Sequence, residues 1–188
     1  MPNEKYILGI DPGNKESAFC LCSPDLHPLE FGKYENTVLI KRDPDPDTFE
    51  GKISAALLNQ NCDRGNTVVV IENMESFGMA VGRSVLDTCI YIGELKRHFM
   101  TLGYPVEYVF RHEEKVTICL NIKANDATIK QALVDRFAPN TSNHGKGTKK
   151  EPGFFHNFRA DVWSSFAIAV TYHDKQAMKD LHLEELPF

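Results

Sequence analysis

The run "TVVVI", residues 67–71, constrains this chain more than any other stretch. Four β-branched apolar residues in a row have no polar side to turn to solvent. They describe a central strand covered on both faces, as parallel strands are. Such a strand needs helices on both sides of its sheet, so the chain reads as α/β. The neighbouring pattern agrees. Tyr6 to Ile10 reads as a buried strand, and Ser17 to Cys22 as a second after a Pro-Gly turn. A third strand falls at Leu29 to Tyr34 or at Thr37 to Lys41, and the prolines of residues 42–47 make that stretch a loop. Helical spacing covers Thr48 to Leu58, through Phe49, Ile53, Ala56 and Leu57. A long helix runs from Val81 to Leu102, through Val85, Cys89, Ile92, Leu95 and Phe99. Gly103 ends it, and a strand follows over Val106 to Phe110. Short helices are expected over Glu113 to Leu120 and over residues 125–137, the latter opened by an Asn/Asp cap. A last helix spans Asp161 to His173. With no internal repeat and no linker, residues 1–188 read as one mixed α/β domain, its core at about 5–174 and a short tail beyond.

At 188 residues the chain is long enough for a real core. No run approaches the roughly 18 apolar residues of a membrane span. The first ten residues lack the basic-then-apolar layout of a secretory leader, so the expected location is the cytoplasm. Five cysteines, Cys20, Cys22, Cys62, Cys89 and Cys119, fit neither a zinc ribbon nor a redox pair and read as reduced packing residues. The formal net charge of −5 excludes a generally basic coat for nucleic acid. A polyanion would need bridging metal ions or a local basic patch. One such stretch exists: Lys146, Lys149 and Lys150 lie among glycines in "HGKGTKKEPG", residues 144–153, where composition alone describes a solvated loop.

Two acids end strands. Asp11 closes "ILGID", and Glu72 follows "TVVVI" directly. If those strands are parallel neighbours, both acids emerge at one carboxyl edge, where open α/β sheets place their sites. Two carboxylates buried together must share a proton or a cation. Magnesium or manganese, hard cations that take carboxylate oxygens, answer that need. Asp161, at the start of the last helix, can face the same edge or simply favour the helix dipole.

The ordered set of motifs resembles the RuvC-type Holliday junction resolvases, a branch of the RNase H-like superfamily. "ILGIDPG" is similar to their first strand, and "VVVIENMESFGMAVGRSVLDTCIYIGELKRHF" to their central strand, acid and following helix. "SFGMAVG", "TCIYIG", "ANDATIKQALVDRF" and "GTKKEPGFFHN" resemble patterns of the phage and mobile-element branch. "ADVWSSFAIAVTYHD" resembles the family's acid-bearing last helix. The likeness runs over most of residues 6–174.

The resemblance implies an RNase H-like mixed sheet flanked by helices. It implies catalytic and metal-binding roles for Asp11, Glu72 and Asp161, with Mg2+ as cofactor and Mn2+ as a substitute. It further implies two-metal hydrolysis of a phosphodiester, leaving a 5′ phosphate. Relatives often carry a further aspartate one turn after the last acid, and Ser164 stands there instead. Asp126 is the candidate to supply the missing charge, although its position at a helix start reads as a cap. Lys130 matches a basic residue that can meet a phosphate in relatives. Phe77, with Met79, falls where the family sets an aromatic against unstacked bases, or caps the core instead. His156 has only proximity in its favour, and Trp163 reads as core. Branched DNA and a homodimer built on the long helix are the implied partners, with a bacterial host's cytoplasm as the setting if the gene is phage-borne. Two rivals stand. An actin-like or sugar-kinase ATPase would need a second domain and phosphate loop. A catalytically inactive RNase H-like module would bind branched DNA without cutting it.

Overall fold

The computed structural model describes residues 5–36, 46–75, 78 and 81–181. Five strands form one sheet: β1 (Tyr6–Asp11), β2 (Glu16–Cys22), β3 (Pro28–Glu35), β4 (Thr67–Asn73) and β5 (Val106–Phe110). Five α-helices cover it: α1 (Phe49–Asn59), α2 (Arg83–Thr101), α3 (Arg111–Cys119), α4 (Asp126–Phe137) and α5 (Ala160–Asp180). The strand order is β3-β2-β1-β4-β5. β1 runs parallel to β4, and β4 parallel to β5, while β2 and β3 are antiparallel additions beyond β1. The third strand takes the earlier of its two expected positions; the alternative, Thr37 to Lys41, falls outside the described residues.

Alternation along the strands divides the core into two layers. Ile7, Val68, Val70 and Val109 pack with α4 and α5, and Leu8, Ile10, Val69 and Ile71 pack with α1 and α2. The β4 run is apolar throughout because it feeds both layers, as "TVVVI" implies. Three helix boundaries depart from the expected ones by two residues or more. The long helix starts at Arg83 because its N-cap, Gly82, is extended. α3 starts at Arg111, two residues early, directly where β5 ends. α5 continues to Asp180, seven residues beyond His173, and its last turns, from Ala177 on, are exposed. All five cysteines are free thiols.

One glycine sets the position of the last helix. A Cβ on Gly9 would stand 2.2 Å from the backbone carbonyl oxygen of Ser165 and 3.3 Å from Ala169 Cβ. α5 therefore lies directly on β1, and its first turn comes down beside the strand's end. Gly9→Val should destabilise the protein by about 3 kcal/mol, the upper part of the usual overpacking range. For a domain of this size that lowers the melting temperature by about 6 °C or more. An unchanged melting curve would contradict this close approach.

Candidate active site

β1 and β4 pair in register, Ile10 opposite Ile71. The next residues, Asp11 at the end of β1 and Glu72 one short of the end of β4, therefore lie side by side at the carboxyl edge. Strand alternation sends both toward the layer that holds α5, because Asp11 shares parity with Ile7 and Gly9, and Glu72 with Val68 and Val70. Their carboxyl groups are within hydrogen-bonding reach of each other. Burial, then the charges of Glu72 and Asp161, push the Asp11 carboxyl up to about 8. Burial likewise raises Glu72, against the lowering effect of Arg111.

Behind this pair stands an acid that the sequence reading missed. Glu114 on α3 has a fully buried side chain, within hydrogen-bonding reach of Glu72. Burial first, then Glu72, pushes it up to about 9, while Arg111 acts in the opposite direction. Among the described residues its Oε1 has no hydrogen-bond partner. The neighbouring Glu113 is spent on structure: its Oε2 accepts from the Phe110 N–H at 2.8 Å, closing the first turn, and Lys175 pairs with its other oxygen. Both glutamates lie in the first turn of α3, and of the two it is Glu114 whose side chain is fully buried. The available signal was the end of β5, the third parallel strand, at the same sheet edge.

Two cations restrain the outer acids. Arg111 bridges Glu114 and Asp126. Lys33 lies across the sheet from Ala18, which itself pairs with Asp11; its Nζ stands 2.7 Å from Asp161 Oδ2 and 2.9 Å from Glu16 Oε2. The hydrogen bonds that its ammonium donates to Asp161 and Glu16 raise the lysine's affinity for its proton. Asp161 sits in the first turn of α5 and is close enough for its charge to raise Asp11. Asp126 does not cap its helix. Asn125 does, accepting from the Thr128 N–H at 3.0 Å, which leaves Asp126 exposed and free to reach Arg111.

A cleft of about 700 Å3 opens over Asp11, Glu72, Asp126, Asp161 and Ser164, with Arg111 on its wall. Among the described residues no three His, Cys, Asp or Glu side chains converge as a ready cation site. The outer acids are engaged by cations instead, Asp126 and Glu114 by Arg111 and Asp161 by Lys33. The donor set still fits a hard divalent ion. It is all carboxylate oxygen, it is buried beyond what its own cations neutralise, and it includes the orphaned Glu114 Oε1.

The basic stretch is built rather than formless. Gly147 pairs with Pro152 in an isolated bridge, and Gly145 and Gly147 take φ of 71° and 65°. A Cβ on Gly147 would stand 2.3 Å from the Glu151 carbonyl oxygen. His156 serves this turn, its Nδ1 lying 3.1 Å from the Lys146 carbonyl. Lys149 and Lys150 are exposed on it, while Lys146 and Lys130 line a second cavity beside the acids. Trp163 is core, as expected, and also forms part of that cavity's wall. Phe77 and Met79 lie outside the described residues.

No family model matches the sequence, and no curated protein matches it closely enough to count as a relative. Solved structures do match. RuvC of Thermus thermophilus in complex with a Holliday junction substrate superposes with a TM-score of 0.61 at 16% identity, over 93% of this chain and 96% of that one. A second structure of Thermus thermophilus RuvC gives 0.57 at 15% identity over the same shares. The yeast mitochondrial Holliday junction resolvase Ydc2 superposes more loosely, at 0.49 and 16% identity, over 97% of this chain and 83% of that one. With its mixed five-stranded sheet, its crossing α5 and this near-complete overlap, the chain has the RuvC-type, RNase H-like fold.

Proposed function

We propose that the protein is a metal-dependent endonuclease that resolves branched DNA, such as Holliday junctions, by hydrolysing phosphodiesters. The observation that carries this reading is the Asp11–Glu72 pair, set side by side at the carboxyl edge of two parallel strands with Glu114 buried behind it. Such a concentration of acid is expensive to maintain unless a cation relieves it. Mg2+, or Mn2+ in its place, would supply an activated water and neutralise charge on the scissile phosphate.

Asp11 and Glu72 would hold the cation, giving up their shared proton as it binds. Asp161 completes the set once it exchanges Lys33 for the ion, and Glu114 takes the place of the acid that Ser164 does not provide. Lys146, Lys149 and Lys150 would neutralise backbone phosphates without reading sequence. None of the three forms an ion pair among the described residues, so their charge is free for that purpose. The Holliday junction held by the Thermus protein supports a branched substrate. Given a four-way junction and a linear duplex of the same sequence, the protein should cut the junction in Mg2+ and lose that activity in a chelator. Equal cutting of both, or none in any divalent ion, would overturn the reading.

Selectivity for a junction calls for two sites acting on opposed strands, hence a symmetric dimer. α2 offers the surface. Leu86, Ile90 and Met100 are 54%, 63% and 56% exposed, and with Gly93 they follow one helical face. Ile90→Glu should convert a dimer to a monomer in sedimentation velocity while leaving the far-ultraviolet circular dichroism unchanged. A wild-type protein already monomeric at tens of micromolar would remove this interface.

A further inference from the structure

A cavity of about 350 Å3 lies between α4 and the first turns of α5, adjoining the acidic cleft and sharing Arg111, Asp126, Asp161 and Ser164 with it. Its volume falls in the roughly 300–1,000 Å3 range of small-ligand sites. Its chemistry is divided. Ile129, Leu133, Phe158, Trp163 and Ala167 make an apolar floor. Lys130, Lys146 and Arg159 stand around it, and none of them forms an ion pair among the described residues. The lining carries four cations, Arg111, Lys130, Lys146 and Arg159, against two acids, Asp126 and Asp161, which pair with Arg111 and Lys33. The unbalanced charge of the cavity is therefore positive. The Lys130 ammonium lies 5.1 Å from the centre of the Trp163 ring, which fixes it at the apolar boundary rather than in open solvent.

An apolar slot the size of a heterocycle, ringed by cations with no acid of their own, fits a ligand with a flat uncharged body and an anionic end. We infer that this cavity binds one unstacked nucleotide, its base on the apolar floor and its phosphate among Lys130, Lys146 and Arg159. This rests on the nuclease reading for its source: the nucleotide would belong to the DNA strand whose neighbouring phosphate lies at the acids. At a branch point bases are less constrained by stacking, so extruding one costs least there. The pocket would thus contribute to recognition of branched over linear DNA.

Trp163 is the chain's single tryptophan and part of the wall, so it reports on the cavity directly. The test is a fluorescence titration of the metal-free full-length protein with a deoxynucleoside monophosphate, with deoxyribose 5-phosphate and with inorganic phosphate. The nucleotide should change Trp163 emission saturably, and the two base-free probes should bind at least about fivefold more weakly, the low end of a base–aromatic contact. Lys130→Ala and Ala127→Phe, the latter narrowing the cavity from an exposed position, should each weaken the nucleotide by a similar factor. Equal affinity for deoxyribose 5-phosphate would reduce the cavity to a phosphate site and overturn the proposal. So would unaltered nucleotide binding by Ala127→Phe. A parallel titration uses a four-way junction, intact or abasic at the nucleotides flanking the crossover, with anisotropy of the labelled junction as an independent measure of binding. The abasic junction should bind without the emission change. If both junctions bind and perturb Trp163 alike, the pocket proposal falls while the nuclease reading stands. If neither binds while the mononucleotide does, the pocket stands and the branched-DNA reading falls.

Discussion

Asp11→Asn should raise the melting temperature of the metal-free protein at pH 9 by at least about 3 °C, while reducing junction cleavage at least about a hundredfold. The two effects have one cause. In the folded protein the Asp11 and Glu114 carboxyls are pushed up to about 8 and about 9, chiefly by burial, and Glu72 is raised as well. In the unfolded chain these groups ionise near pH 4. Below that pH both states are protonated and the contribution to stability is intact. As pH rises, the unfolded chain releases protons that the folded protein retains, so stability falls until the folded values are passed. Metal-free protein should therefore lose stability steadily from about pH 4 to about pH 9. One pKa unit is worth about 1.4 kcal/mol, and a domain of this size gains about 2–4 °C per kcal/mol. Removing one of the competing acids yields the stated increase. Saturating Mg2+ should flatten the same profile, because a ligand bound only by the native state stabilises it by mass action. The activity loss exceeds what a substitution of equal volume does to packing, since one ionic ligand disappears. A wild-type stability profile that is flat from pH 5 to 9 without metal would contradict the shared-proton description of the site.

Glu114→Gln should cost about 10–100-fold in cleavage, the range observed when a group that supports metal ligands is lost. Asp126→Asn should stay within about twofold of wild type. Asn125 performs the capping, so the helix keeps its N-terminus. The new amide oxygen can still accept from Arg111. Asp161→Asn should eliminate turnover, because its alternative partner, Lys33, holds it only at the cleft's edge. Single-turnover cleavage by the three folded variants separates these roles. An inactive Asp126→Asn beside an active Glu114→Gln would transfer the fourth acid from α3 to α4.

Asp11 and Glu72 were readable because each directly follows an apolar strand, and a period of two together with parallel pairing leaves their placement little freedom. Glu114 was not. Its position depends on where α3 begins, and the boundary between β5 and α3 has no intervening turn residue to mark it. Asn125 and Asp126 show the same ambiguity, since either residue type caps a helix and only the backbone reveals which one does. The antiparallel strands were legible as strands, yet the pairing of Lys33 with Asp161 depends on register across three strands, which local pattern does not carry. The lysines of residues 146–150 looked like a solvated loop because the turn holding them is built from glycine geometry and backbone hydrogen bonds, neither of which leaves an apolar period.

The central claim is that the acids at this sheet edge are a divalent-metal centre, and Mn2+ binding measured by electron paramagnetic resonance tests it without depending on turnover. The wild-type protein should bind Mn2+ at neutral pH, and excess Mg2+ should displace it. Asp11→Asn and Glu72→Gln should each abolish or strongly weaken that binding. Wild-type-like Mn2+ binding by both folded variants would contradict the account.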